Sequence, residues 1–258
     1  AEARAHLWMQ GDDQDRMLQL DPVVAQLSGP LQGGQGRFSF LHLPFSLLAL
    51  AVPVPSALRG AIGATGSYDL SGAGPLLTTE LALEQARFGD QELRLERRAV
   101  VLSSKGLELD LALRSVDAAE ALQVRGTVPL SLRDALDLEL ESHGDALSFL
   151  AAPAGDALRL TRGTSDLRLM LTGYLDQPQA NGFLVIRDGS FTAADQALKQ
   201  VNASLLFDFN RVEVSQLEAT LASGGTISAE GAIGLFIPRD EETPLTIRLT
   251  KGTIRQEM

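Results

Sequence analysis

The sequence predicts an all-β protein whose main element is an elongated, curved antiparallel sheet, and three observations support this fold class. Apolar and polar residues alternate in one segment after another, which is typical of strands with one buried and one solvated face. Turn signals such as Lys105-Gly106 and Asp188-Gly189 separate the segments. Long helical patterns do not intervene, so antiparallel meanders are favoured over alternating strands and helices.

The segment GGTISAEGAIGLF, residues 224–236, shows the alternation clearly. Every second residue from its first isoleucine onward is apolar or glycine, while the intervening positions are mostly polar. The same pattern recurs in residues 107–113 and 201–209, and roughly 14 strands are expected in total. A few short helices are expected near residues 45–51, 146–152 and 193–199.

A repeat is visible in the positions of glycine and proline. Gly60 and Gly163 lie 103 residues apart, as do Pro75 and Pro178. Each copy has a short helix, a glycine-bounded strand, a proline-marked turn and a meander of strands, as in elongated repeat architectures. We therefore predict the tail of a preceding repeat in residues 1–36, one sheet repeat in 37–141, and a second repeat, continuous with it, in 142–258.

Composition restricts the function classes. The net charge of −11 and the pI of about 4.7 argue against binding to nucleic acid or to an anionic membrane through basic residues. Cysteine is absent, which excludes disulfides and thiolate metal sites and fits either a reducing or an oxidising compartment. The chain begins without methionine or a leader pattern, and we expect it to be a piece of a longer protein.

Catalytic motifs do not emerge from the sequence. The three histidines, His6, His42 and His143, are scattered and have no metal-ligand spacing. Neither a nucleophile elbow nor a phosphate-binding glycine loop occurs, and the glycine clusters fit tight turns. We predict that the protein is not an enzyme and has no catalytic residue, metal site or cofactor.

A sheet with one apolar face must cover that face with a second sheet, close into a barrel, or fold into a trough. The inward residues are of medium size, and Gly126 and Gly231 thin the lining, which favours an open groove on the order of 65 Å long. A closed core without cargo is the alternative. The candidate groove-lining residues are Leu107, Leu109, Leu111, Leu113, Leu136, Leu138, Leu205, Phe207, Phe209, Val212, Val214, Ile227, Ile233 and Leu235.

Three strings resemble the C-terminal repeats of the TamB proteins within the AsmA-like envelope protein family, which has relatives in the chloroplast inner envelope. They are LDQPQANGFLVIRDGSF, VNASLLFDFNRVEV and SGGTISAEGAIGLF, and residues 43–75 are similar to the connector between repeats of that family. The resemblance implies a U-shaped sheet, the β-taco, with a hydrophobic groove. It also implies a periplasmic segment of an inner-membrane-anchored protein that transports phospholipid between membranes.

The resemblance further implies two partners: phospholipid acyl chains, and an outer-membrane barrel protein of the BamA or TamA type that the parent chain would contact. An alternative function is a scaffold that assembles outer-membrane β-barrel proteins by strand pairing. A third is a structural spacer with a filled core. Open strand edges also predict head-to-tail self-association of this chain.

Overall fold

The computed structural model describes residues 2–7, 23–30, 32–49, 57–72, 74, 76–89, 91–148, 158–193, 196–222, 224–235 and 245–250. The chain is an antiparallel all-β protein with little helix, which confirms the predicted fold class. The strands are β1 Glu2–Leu7, β2 Val23–Ser28, β3 Gln35–Pro44, β4 Leu58–Asp69, β5 Leu76–Phe88, β6 Gln91–Ser103, β7 Gly106–Ser115, β8 Leu122–Val128, β9 Asp137–Ser142, β10 Leu158–Tyr174, β11 Gln177–Ala193, β12 Gln196–Phe209, β13 Arg211–Leu221, β14 Thr226–Gly234 and β15 Thr246–Thr250.

The strands form one sheet in which the order of the strands follows their order in the chain. The pairings from β1–β2 to β6–β7 and from β9–β10 to β14–β15 are antiparallel, as short connections between successive strands require. The order is linear, with β1 and β15 as the outer strands, so it is open and does not close into a barrel.

The chain divides into two compact units, which are described separately. Unit 1 comprises Ala1–Asp117 and Arg125–Ser131, and unit 2 comprises Ala118–Val124 and Leu132–Met258.

In unit 1, bulges fall on neighbouring strands. The register shifts between Arg59 and Ala61 on β4, where Gly60 has a φ of 102°. On β3 and β5 the left-handed backbone is carried by His42 and Gln85, with φ of 59° and 48°. A bulge adds a residue to one strand, bends it and increases its twist, so bulges on adjacent strands bend the sheet along one line. We call His42, Gly60 and Gln85 the bulge line of unit 1.

Unit 2 has a bulge line of the same kind. Gly163 on β10, Asp188 on β11 and Gln200 on β12 have φ of 123°, 50° and 51°, and the register of each strand shifts beside them. A Cβ atom on Gly163 would lie 2.6 Å from the Cα atom of Gly189, so the two backbones touch at this point. The line continues on β13, where the register shifts between Val214 and Leu217.

The helix predicted near residues 45–51 is present, since helix α1 spans Phe45–Leu48. Of the helix predicted near 146–152, residues 146–147 form a turn and residue 148 has a 3-10 helical conformation; residues 50–51 and 149–152 lie outside the described residues. The helix near 193–199 is wrong, because Ala193 ends β11 and Gln196 begins β12. Alanine, leucine, lysine and glutamine favour helix in isolation, but here Leu198 pairs with Phe191 and with Leu221, and sheet pairing overrides this preference.

Candidate functional site

The pairing register of unit 2 brings apolar residues from seven strands onto one side of the sheet. Partners opposite each other in an antiparallel pair point to the same side, so a row of partners marks one face. Four rows define what we call the apolar face of unit 2. They are Leu138–Leu171–Ala180–Phe209; Leu140–Leu169–Gly182–Phe207–Val212–Ile233; Ser142–Leu167–Leu184–Leu205–Val214–Gly231; and Ser165–Ile186–Ala203–Leu217–Ala229–Ile247.

All members of these rows are apolar residues, glycine or serine. The bulge in β13 keeps the face continuous, because Val214 and Leu217 are three residues apart and would otherwise point to opposite sides. The face therefore offers apolar contact without a charged side chain in any of its four rows. Such a surface suits a hydrocarbon ligand and has no group for acid–base or metal chemistry.

Burial on this face changes with distance from the bulge line. Val201, Ala203 and Val214, beside the line, have exposed fractions of 5%, 6% and 5%. Phe209 and Ile233, which are farther along their strands, are 52% and 47% exposed. A core filled by its own side chains would bury large apolar residues almost completely, with interlocking contacts on all sides. The apolar face is thus most buried on β12 and β13 beside the bulge line, and it is open farther along these strands and at the outer strand β15, where Ile247 is 64% exposed.

Unit 1 has a comparable face on β6 and β7. Leu107, Leu109, Leu111 and Leu113 all lie on one side of β7, and each is half-buried. Leu111, however, is opposite Arg98, whose Nε lies 3.3 Å from a carboxylate oxygen of Glu80. The other three leucines are opposite apolar residues, namely Leu102, Val100 and Leu95.

The ten predicted lining residues of unit 2 all belong to the apolar face. Eight lie on its strands, Leu136 lies just before β9 and Leu235 just after β14, and Leu136 and Val214 are buried. Ile227 lies on β14 two residues before Ala229, hence on the same face, and is half-buried. Leu235 follows the last residue of β14 and is 37% exposed, while its N–H donates to the carbonyl of Asn210. Those on the face are Leu136, Leu138, Leu205, Phe207, Phe209, Val212, Val214, Ile227, Ile233 and, at its end, Leu235.

Sequence reasoning missed several residues of this face, including Leu140, Leu169, Leu184 and Ile186. The strands that carry them were expected, but a run such as FLVI at 183–186 is apolar at every position, so alternation does not reveal its inward set. Pairing decides the matter: Leu184 is opposite Leu205, whereas Phe183 is opposite Arg168 on the other face.

The other side of the sheet in unit 2 is mostly polar, although Met170, Phe183 and Leu206 are exposed on it, and it carries exposed ion pairs. Arg168 pairs with Glu139 and Arg211 with Asp208, at nitrogen–oxygen distances of 3.3 and 3.0 Å. Exposed pairs of this kind contribute little to stability, about 0–1 kcal/mol each. A cavity of about 240 Å³ lies beside the bulge of β13, between Glu218, Glu230 and Arg248, and it contains none of the predicted lining residues.

One titratable cluster on the polar side has shifted pKa values. Hydrogen bonds from His143 to Asp166 and Glu141, at 3.2 and 3.3 Å, raise the pKa of the imidazole. Hydrogen bonds from Arg187 and His143 hold the pKa of the Asp166 carboxyl below its usual value. These groups lie on the surface, and each makes ordinary ion pairs. No catalytic pocket surrounds them among the described residues.

His42 has a structural role in unit 1. Its ring Nδ1 contacts one oxygen of the Glu84 carboxylate, and its backbone N–H donates to the other oxygen at 3.4 Å. Glu84 crosses the intervening strand above Gly63, where a Cβ atom would lie 2.7 Å from the carboxylate oxygen. The pair therefore ties β3 to β5 at the bulge line.

The described residues contain neither a metal-binding cluster nor a membrane-spanning helix. Among the residues that the structure describes, no group of three or more histidine, aspartate or glutamate side chains is placed to hold a metal ion. In that same part of the chain, no helix has the length and hydropathy needed to cross a bilayer. Comparison of the chain with protein-family models, with curated proteins and with solved structures found no match.

Proposed function

We propose that the protein is a segment of a periplasm-spanning lipid-transfer protein that shields phospholipid acyl chains on its apolar face between the inner and outer membranes. The observation that carries the proposal is the apolar face of unit 2, which extends over seven strands and remains partly open. Large side chains such as Phe209 stay half-exposed there instead of packing into a sealed core. The resemblance of the repeats to the AsmA-like envelope proteins gives the phospholipid, the periplasm and the role in outer-membrane biogenesis.

The mechanism requires no chemical step. Each methylene that leaves water for an apolar surface gains about 0.8 kcal/mol, so an acyl chain on the face is stabilised along its length. The head group stays in water, because the rows of the face contain no charged partner for it. Movement along the face exchanges one set of apolar contacts for an equivalent set.

A pair of adjacent variants tests the proposal. Leu205→Glu places a charge in the middle of the apolar face, whereas Ser204→Glu places the same charge on the neighbouring residue, which points to the polar side. We expect the wild-type chain and Ser204→Glu to retain co-purified phospholipid in native mass spectrometry and to bind a fluorescent fatty acid. Leu205→Glu should lose both, because an unpaired charge is costly in an apolar site.

Circular dichroism establishes that both variants are folded. Leu109→Asp provides the same test on the face of unit 1. A wild-type chain that is free of lipid and does not bind the fluorescent fatty acid would refute the proposal, as would equal binding by Leu205→Glu and Ser204→Glu.

The second candidate, a scaffold for outer-membrane barrel proteins, is favoured by β15. All five residues of this outer strand are exposed, and an outer strand offers unpaired N–H and C=O groups to another strand. A photo-crosslinker at Ile247 should then capture unfolded outer-membrane barrel precursors, while lipid content stays unchanged. Crosslinks only to a second copy would instead indicate self-association through this edge.

A further inference from the structure

The polar side of unit 1 contains a concentration of arginines in an acidic chain. Arg59 on β4 is directly opposite Arg87 on β5, and Arg94 on β6 is directly opposite Arg114 on β7. Arg87 is also opposite Glu92, which lies two residues before Arg94 and thus on the same side of β6. All four arginines therefore share one face, and we call them the arginine patch.

The arrangement of the patch opposes stability. Like charges at directly opposite positions of two strands destabilise a sheet, and the patch contains two such pairs. Two glutamates moderate the repulsion: Glu92 lies 3.5 Å from Arg94, and Glu96 lies 2.7 Å from Arg114. Four guanidinium groups thus share one face, although the whole chain has a net charge of −11.

Unit 2 shows that the fold does not require these arginines. At the spacing of 103 residues, the counterparts of Arg59 and Arg87 are Arg162 and Ser190, which are also directly opposite each other. On β12, Lys199 is opposite Thr220, at the place that the facing pair of Arg94 and Arg114 occupies in unit 1. The same strands thus pair in unit 2 without the facing arginines, so the patch is specific to unit 1 and calls for another explanation.

We propose that the arginine patch binds the phosphate group of an anionic ligand. Guanidinium groups donate paired hydrogen bonds that fit phosphate oxygens, and several of them together neutralise a doubly charged group. The present partners do not prevent this, because Arg94 is 62% exposed and its ion pair with Glu92 is a surface pair of small net value. The patch lies on the side of the sheet opposite the apolar leucines, so this inference does not rest on the acyl-chain proposal.

The experiment compares two variants with equal changes in charge. Arg87→Ser/Arg94→Ala removes one arginine from each facing pair of unit 1, and Arg168→Ser/Arg211→Ala removes two paired arginines from unit 2. Inorganic phosphate and glycerol 3-phosphate are titrated into the whole chain at low salt by calorimetry. Flotation with phosphatidylcholine vesicles, with and without phosphatidylglycerol, tests whether the phosphate of a lipid head group is bound.

We expect the wild-type chain to bind phosphate, the unit 1 variant to bind at least about tenfold more weakly, and the unit 2 control to bind like the wild type. Binding of the soluble phosphates identifies a free anion as the ligand, and binding only to the phosphatidylglycerol vesicles identifies a lipid head group. The thermal midpoint of the unit 1 variant should not fall, because the change removes repulsion. A wild-type chain that binds none of the probes, or an equal loss in the unit 2 control, would overturn the proposal.

Discussion

The two units have bulges at equivalent positions of the repeat, but they differ in the side chains on the two faces of their sheets. Gly60 and Gln85 of unit 1 and Gly163 and Asp188 of unit 2 are 103 residues apart in each case, and all four have left-handed backbones. By contrast, the apolar side of unit 1 carries Arg98, opposite Leu111, whereas the four rows of the apolar face of unit 2 carry no charged side chain. The repeat thus preserves the backbone geometry and leaves the surface free to diverge.

The polar sides differ as well. Phe183 and Leu206 are opposite each other in unit 2 and are 42% and 45% exposed. At the place of Phe183 in unit 1, Glu80 is opposite Ala99. Residues that set the bend are held by backbone contacts, whereas residues on the solvated face have few neighbours and tolerate exchange.

The largest expected effect comes from placing a charge at the buried Val201 of unit 2, compared with removing the charge of Arg98 in unit 1. Val201→Arg should lower the free energy of unfolding by about 3–5 kcal/mol, because it places an unpaired charge at a buried position. Arg98→Val should leave stability within about 1 kcal/mol and should strengthen fatty-acid binding, since it extends the apolar face of unit 1. Urea unfolding followed by circular dichroism measures both. A similar loss of unfolding free energy in Val201→Arg and Arg98→Val would contradict the different burial of these two positions.

Alanine at either bulge-line glycine should cost about 2–3 kcal/mol. At Gly60 the new Cβ atom would lie 2.5 Å from the carbonyl oxygen of Gln85, and at Gly163 it would lie 2.6 Å from the Cα atom of Gly189. Both residues also have a φ that disfavours any side chain. Gly72→Ala serves as a control, because the nearest atom lies 4.0 Å from the Cβ position there and the backbone is not left-handed. The comparison fails if only one of the two bulge-line variants is destabilised.

A smaller effect, an increase in stability, is expected at the non-glycine bulge residues Gln85 of unit 1 and Asp188 of unit 2. Gln85→Gly should stabilise the protein by about 0.5–1 kcal/mol, because glycine adopts the left-handed backbone without the steric cost that other residues pay. Asp188→Gly should gain less, since aspartate tolerates this conformation better. Thermal midpoints suffice to rank the two variants, and a loss of stability in both would mean that these side chains make stabilising contacts of their own.

The smallest effect concerns pH and unit 2. The pKa of His143 is raised in the folded state, so its contribution is fully present below the ordinary value of 6.5 and is lost as the pH rises through the folded pKa. The stability difference between the wild type and His143→Gln should therefore be larger at pH 5.5 than at pH 8.5. Unfolding curves at both pH values test this, and a difference that grows with pH would contradict the assigned contacts to Asp166 and Glu141.

Many residues of the apolar faces could be predicted from the sequence, because successive side chains of a strand point to opposite faces of the sheet. Leu107 to Leu113 alternate without interruption, and β7 has no bulge to change their side of the sheet. The same logic fails at Val214 and Leu217, where an inserted residue resets the alternation. It also fails at residues 183–186, where every position is apolar.

The sequence by itself determined the antiparallel all-β class, the repeat of 103 residues and the apolar stripes, because alternation and turn residues are local properties of the chain. Only the tertiary structure decided which rows meet across strands, where the sheet bends and which large side chains remain exposed. Register, bulges and burial depend on partners that are distant in sequence, so Leu184 could be assigned to the apolar face of unit 2, and Arg87 to the arginine patch of unit 1, only once their partners were known.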